Sequence, residues 1–357
     1  MEITEKIEAF EKLGIFLEQF KDPGEQIINT APWLEELNKE FFRPMVALIE
    51  TSHVHNPWFT ESNVRYSLAT IGRSLTAEAL SSWLSCYPDP TGEPKTVAVI
   101  MAGNIPLVGF HDMLCVMISN HRMLAKLSAR DNELYKLIAE ILCFINNSFT
   151  SRISLTEGIL ENFDAVIATG SNNTSRYFEY YFGRYPNIIR RNRSSAAILD
   201  GSENEEGLSG LADDVFRYFG LGCRSVSKIF VPEDYDFEPL LSAFNKYNFF
   251  INHNQWANNY EYQKAIHLID IIPHLDTGFL LLREEQTFSS PIAVLSYEKV
   301  ENPRKALDLI RDNKNKLQCV IGDQSLSESI IPFGRSQEPK LNEYADNVDT
   351  LNFLLNI

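Results

Sequence analysis

Cys223 stands in the stretch FGLGCRSVSKIFVP, directly after Gly220 and Gly222 and just ahead of an apolar run. Closely spaced glycines leave room for a substrate beside the thiol, and a turn of backbone N–H groups favours a thiolate nucleophile and can hold an oxyanion. The other four cysteines, Cys86, Cys115, Cys143 and Cys319, are expected to be small buried hydrophobes. In MAGNIPLVG (101–109) a buried strand ends in Gly103, Asn104 and Pro106. The Asn104 amide could donate to a developing oxyanion, or the residue could simply turn the chain. Pro106 suits the first turn of the following helix. AKLSARDN (125–132) carries Lys126, Ser128 and Arg130 past a strand end, where a nucleotide's ribose and phosphates lie in a parallel sheet. ATGSNNTSR (168–176) passes through Thr169, Gly170 and Ser171 into a helix whose first N–H groups could hold a pyrophosphate; Ser171 would serve equally as a plain N-cap.

These stretches need strands that deliver them and helices that begin beyond them. Apolar residues recur at helical spacing over 5–20, 33–50 and 60–84, so the first ~85 residues read as helical. YPDPTGEPK (87–95) breaks that pattern and marks a connection or small hairpin. From Thr96 onward, TVAVIM, RMLAKLS and FDAVIA read as strands separated by helices near 108–119, 131–148 and 173–182. Their apolar runs are continuous rather than alternating, the pattern of strands buried on both faces in a parallel sheet. A second α/β stretch follows: helix 204–218, strand 225–231, helix 236–247, strands near 279–282 and 292–296, helix 302–312 and strand 318–321. The tail DTLNFLLNI reads as a final strand.

Charge narrows the function classes. The 357 residues hold 48 acidic against 32 basic side chains, a formal charge of −16, which repels phosphate backbones and argues against a nucleic-acid partner. The five cysteines form no CxxC, so neither a zinc site nor a disulfide framework is expected, and a reducing cytoplasm fits best. No 18-residue apolar run predicts a membrane span, and the acid-rich start MEITEKIEAFEKLG does not read as a signal peptide.

In order and spacing, the four stretches together resemble the aldehyde dehydrogenase superfamily, and within it the long-chain acyl-CoA reductases, the fatty-acid reductase type of bacterial bioluminescence. AGNIP stands where that family has its Asn-x-Pro oxyanion motif, KLS (126–128) where Lys-Pro-Ser holds the adenosine ribose, ATGS where Thr-Gly-Ser binds the pyrophosphate, and GLGC where Gly-x-x-Cys carries the nucleophile. The segment PFGRSQEPKLNEYADNVDTLNFL (332–354) is also similar to that branch. The resemblance implies an α/β fold with three parts: a Rossmann-like cofactor domain (1–82 and 96–199, with a helical N-terminal part), a catalytic domain (200–331), and an oligomerisation hairpin and tail (83–95 and 332–357). It also implies an acyl-CoA substrate, coenzyme A as product, a thioacyl-Cys223 intermediate, and a homo-oligomer.

Departures from the family pattern sharpen the expectation. Where oxidising relatives carry a water-activating glutamate, this chain reads RRNRSSAAILD (190–200), with Arg190 near that position and no glutamate between Glu179 and Glu203. An enzyme so built should exchange thioesters and reduce the thioacyl group rather than hydrolyse it. Ser175 replaces a glycine of the phosphate motif. The resemblance puts the glutamate that meets the cofactor's ribose at Glu284 or Glu285 and does not separate the two. The place of the acid that repels a 2′-phosphate holds Ala129 beside Arg130, which favours NADPH over NADH. His253 is a candidate for activating Cys223, or a solvated or structural loop histidine. An acyl-phosphate reductase, or a cysteine acyltransferase or thioesterase without cofactor, remains the alternative.

Overall fold

The computed structural model describes residues 1–23, 31–90 and 92–357 and divides the chain into two units, Met1–Arg191 with Lys340–Ile357, and Asn192–Pro339. In the first, helices α1 (Ile3–Glu18), α2 (Pro32–Leu37), α3 (Arg43–His55), α4 (Glu61–Ser74) and α5 (Ala77–Leu84) precede β1 (Thr96–Ile100), α6 (Phe110–Ile118), β2 (Arg122–Lys126), α7 (Asn132–Ile145), β3 (Ile153–Thr156), β4 (Ala165–Thr169), α8 (Asn172–Phe182) and β5 (Asn187–Arg190). In the second lie β6 (Ser194–Ile198), α9 (Glu205–Phe216), β7 (Val226–Pro232), α10 (Glu238–Phe244), α11 (Asn254–Ile269), β8 (Leu275–Asp276), β9 (Leu281–Glu284), β10 (Val294–Val300), α12 (Pro303–Asp312) and β11 (Leu317–Ile321). The chain then returns to the first unit with α13 (Thr350–Leu355).

The first sheet runs β3-β2-β1-β4-β5, all parallel. Its central strands are buried along almost their whole length, as their unbroken apolar sequences require. Helices α1 and α4 meet where neither can carry a side chain. A Cβ on Gly14 would lie 2.9 Å from the Gly72 carbonyl oxygen, and one on Gly72 would lie 2.7 Å from that of Gly14. Lys6, buried on α1, donates to the Ile118 carbonyl at the end of α6 (2.8 Å), a cation where the helix dipole is negative.

The tail differs from its expected strand. Asp349 caps α13 by accepting from Asn352 N (2.8 Å), and the helix buries Leu351 and Leu354 in the first unit's core. Polar anchors hold this segment: Trp83 Nε1 donates to Tyr344 Oη, Tyr87 Oη to Asp349, His111 Nε2 to the Leu341 carbonyl and His121 Nε2 to that of Leu354, each at 2.8 Å. The expected hairpin at 83–95 is also absent among the described residues: α5 runs to Leu84 and no strand follows before β1. Thr91 of that connection lies outside the described residues.

The second sheet runs β11-β6-β7-β10-β9-β8, parallel except for β8. Strand β6, which apolar patterning does not reveal, is flanked by β11 and β7 and buries Ala196 and Ala197 completely.

Candidate active site

Three of the sequence motifs emerge at one edge of the first sheet. Ile100 is in register with Lys126 on one side and Ala168 on the other, so Gly103–Asn104, Lys126–Arg130 and Thr169–Ser171 all follow the carboxyl ends of adjacent strands. In an open parallel sheet that edge, beside the strand where the order reverses, is where ligands bind. Gly103 packs against the Ser128 side chain. A Cβ there would collide with Ser128 Oγ and lie 2.8 Å from Ser128 Cβ and 3.1 Å from Arg130 Cβ. Ser128 Oγ accepts from Arg130 N (3.3 Å), and Arg130 itself is exposed.

Ser171 is the N-cap of α8: its hydroxyl accepts from Thr174 N (3.2 Å) and meets Thr174 Oγ1 (2.8 Å). Gly170 is required by packing, since a Cβ would come 2.9 Å from the Phe178 ring and 3.1 Å from Thr174. Ser175, buried on α8, bonds back to the Asn172 carbonyl (2.9 Å). Pro106 does not open the next helix, because 101–109 is a nonhelical loop and α6 starts at Phe110.

That loop is satisfied by side chains that sequence reasoning did not single out. Asn56 Nδ2 donates to the Gly103 carbonyl (3.3 Å) and Ser67 Oγ to that of Pro106 (2.8 Å). Leu107 N donates to Asp131 Oδ2 (2.7 Å) and Gly109 N to Tyr135 Oη (2.6 Å). All four side chains are buried, and Leu107 is left-handed (φ 57°). Only Asp131, at the start of α7, carried a local signal, that of a helix N-cap.

Arg190 ends β5 as a buried ion pair. Its guanidinium grips the Asp112 carboxylate with two nitrogens, at 2.5 and 2.8 Å, and donates to Thr350 Oγ1 (2.8 Å). Burial works against its charge, and Asp112 more than offsets it, so the Arg190 pKa is raised.

In the second unit, Cys223 sits half-buried in a tight turn between α9 and β7. Three consecutive left-handed residues lead into it, Tyr218 (φ 55°), Phe219 (φ 56°) and Gly220 (φ 69°). Gly220 therefore answers a backbone need. For the two aromatic residues such torsions are strained, and their burial holds them there. Ser195 Oγ donates to the Cys223 carbonyl (3.0 Å), and Ser225 N closes the turn on the Gly222 carbonyl (3.0 Å).

A strap of residues 333–337 crosses behind this turn. Arg224 Nε donates to the Ser336 carbonyl, and Gln337 Nε2 to Ser225 Oγ (3.3 Å). Asp214, buried on α9, accepts from Gly334 N (2.6 Å) and Ser336 N (2.9 Å). Burial pushes its carboxyl up to about 6 despite those donors.

His253 caps α11 through Nδ1, accepting from Trp256 N (3.4 Å), and its ring lies 4.5 Å from that of Phe219. Glu285 follows β9 and pairs with Arg283 (3.2 Å), while its carbonyl accepts from the buried Lys228; Glu284 is exposed. The expectation for the other cysteines holds fully only for Cys115. Cys86 is exposed, because α5 has ended by then, and Cys143 and Cys319 are half-buried. Among the described residues no helix is long and apolar enough to cross a membrane, and no group of three or more His, Cys, Asp or Glu could hold a metal ion.

Comparison with known proteins agrees with this architecture. The acyl-CoA reductase (LuxC) family model matches residues 89–240. No curated protein matches the chain in sequence. Among solved structures, the chain is similar to aldehyde dehydrogenase 21 from Physcomitrella patens in complex with succinate, its reaction product (12% identity, 100% of this chain and 84% of that one, TM-score 0.65). It is also similar to an acetylating aldehyde dehydrogenase from Geobacillus thermoglucosidasius (11%, 99% and 90%, 0.60). A third is aldehyde dehydrogenase C from Pseudomonas syringae, a mutant in complex with NAD+ and octanal (12%, 95% and 79%, 0.60). The chain thus has the aldehyde dehydrogenase fold, and its segment from the loop before β1 into α10 matches the acyl-CoA reductase family.

Proposed function

We propose that this protein reduces an acyl-CoA to the aldehyde, with NADPH as reductant and Cys223 as nucleophile. The observation that carries the reading is the convergence of three strand-end motifs on one sheet edge, within a segment that matches acyl-CoA reductases and runs on through Cys223. The residues at that edge fit a dinucleotide. Gly170 brings bare main chain to the first turn of the 11-residue α8, whose N–H groups would take the pyrophosphate. Lys126 and Ser128 would hold the adenosine ribose, Arg130 with Lys126 a 2′-phosphate, and Glu285 the second ribose. When bound, the dinucleotide supplies a hydride.

The chain's own residues do the rest. The Cys223 thiolate adds to the thioester carbonyl, and the Asn104 amide and the Cys223 N–H hold the oxyanion as coenzyme A leaves. After reduction the same donors hold the thiohemiacetal oxygen, and collapse expels the thiolate and frees the aldehyde. Cys223 and Glu285 belong to the second unit, and the other proposed residues to the first. A cytoplasmic homo-oligomer is part of the same reading.

The deciding experiment follows the acyl-enzyme. Without NADPH, acyl-Cys223 should persist, since Arg190 is locked on Asp112 and cannot act as a base near neutral pH. Coenzyme A should return it to acyl-CoA, and NADPH should discharge it to aldehyde. Rapid free fatty acid in the absence of cofactor would mean a thioesterase instead. Faster acylation from acyl phosphate than from acyl-CoA would change the substrate class.

Two substitutions probe the assignments. Asn104→Ala should lower turnover by roughly 10²–10³ with little change in NADPH affinity, the effect of losing one oxyanion donor. Unchanged turnover under rate-limiting chemistry would leave Asn104 a turn residue. Arg130→Ala should weaken NADPH binding much more than NADH binding, because only NADPH carries the dianion whose charge-assisted bonds are lost. Equal weakening of both would assign Arg130 to the shared pyrophosphate or to the fold.

A further inference from the structure

The loop that bears Asn104 runs for nine residues, 101–109, without helix or strand, between β1 and α6. A loop of that kind holds a shape only if its backbone groups find partners. Two of its amides reach the N-cap and first turn of α7: Leu107 N donates to Asp131 Oδ2 and Gly109 N to Tyr135 Oη, at 2.7 and 2.6 Å. Leu107 is the left-handed residue, which for leucine is unfavourable without outside support.

Asp131 also belongs to the neighbouring motif. Its own N–H donates to the Ser128 carbonyl (3.0 Å) and closes the turn that presents Ser128 and Arg130. One residue therefore fastens both the loop that carries Asn104 and the turn that follows β2. Among the described residues its other oxygen, Oδ1, has no hydrogen-bond partner, although the residue is only 3% exposed. A carboxyl kept in that setting is kept for the bond its first oxygen makes, since burial without a partner is costly.

We propose that Asp131, seconded by Tyr135, is a positioning residue for the Asn104 amide: it holds the Leu107 turn and thereby sets the oxyanion donor against the cofactor edge. This rests on the proposed function only through the role given to Asn104. The contacts themselves are independent of it. Asn at position 131 keeps the shape and one accepting oxygen, and burial disfavours the charge that it lacks. Ala removes the acceptor.

The test has two arms. Hydrogen exchange of peptides spanning 102–110, in the protein without ligand, should accelerate at least tenfold in Asp131→Ala and stay near wild type in Asp131→Asn. Single-turnover acylation of Cys223 by acyl-CoA should fall by roughly tenfold to a hundredfold in Asp131→Ala, as misplacement of an aligned group does. Half-saturating acyl-CoA should change by less than about threefold, and Asp131→Asn should recover most of the rate. If Asp131→Ala does not fold, Tyr135→Phe, which keeps the ring and deletes the acceptor for Gly109 N, should give the same pattern in milder form. Wild-type exchange and acylation in both Asp131→Ala and Tyr135→Phe would overturn the proposal. Equal losses in Asp131→Ala and Asp131→Asn would also overturn it, since the accepting oxygen would then not be what matters. A wild-type protein that acyl-CoA never acylates refutes the proposed function instead, while the exchange arm still decides whether Asp131 holds the loop.

Discussion

Cys223→Ala is expected to abolish both the acyl-enzyme and the aldehyde, and replacement of any other single cysteine is not. In the proposed reaction, removing the Cys223 thiol leaves no atom to accept the acyl group, whereas none of the other four cysteines follows the Gly-x-x-Cys pattern. Cys115 is fully buried, and burial raises its thiol pKa well above the ordinary value, aided by the nearby Asp112 charge; that holds it protonated and inert. Cys115→Ala should cost stability on the scale of a small cavity and leave turnover intact. Intact-protein mass spectrometry after acyl-CoA, followed by peptide mapping, reads the outcome. A stable adduct on Cys319 or Cys86 would move the nucleophile there.

Asp112→Ala should be the most destabilising polar substitution in the first unit. It leaves the Arg190 guanidinium buried with, among the described residues, Thr350 as its remaining hydrogen-bond partner, and breaking one side of a buried pair costs about 3–5 kcal/mol. The double change Asp112→Leu with Arg190→Met should recover most of the loss, because two apolar side chains of similar volume remove the stranded charge. Urea unfolding of the wild type, the single variant and the double variant gives the comparison. A single-variant cost below about 1 kcal/mol would mean that water or another carboxylate reaches Arg190.

The parts of this fold that were legible in the sequence are those whose pattern is local. TVAVI and AVIAT are unbroken apolar strands, and the strand-end motifs follow them directly. The tail shows where pattern misleads. DTLNFLLNI offers nearly as much strand as helix character, and the cap that decides the matter, Asp349 on Asn352 N, is a single bond. SSAAI has little strand propensity and becomes β6 because two neighbours need a thin strand between them. Among the candidate site residues, Cys223 and Asn104 were singled out by their neighbours in sequence. Asp131, Tyr135, Asn56 and Ser67 act across 24 to 47 positions on loop backbone, a relation no spacing rule encodes.

The return of the chain to its first unit has a consequence for synthesis. The anchors Trp83–Tyr344, Tyr87–Asp349, His111–Leu341 and His121–Leu354 span 230 to 262 positions. A ribosome adding roughly 5–20 residues per second needs about 7–30 s to pass the 148 residues (339 − 192 + 1) of the intervening unit. Throughout that interval the first sheet is complete in sequence, yet the apolar surface that Leu351 and Leu354 will cover stands open. The second unit, one continuous stretch, can close first. The nascent chain should therefore engage chaperones through its earlier half, and arrival of residues 340–357 should release it.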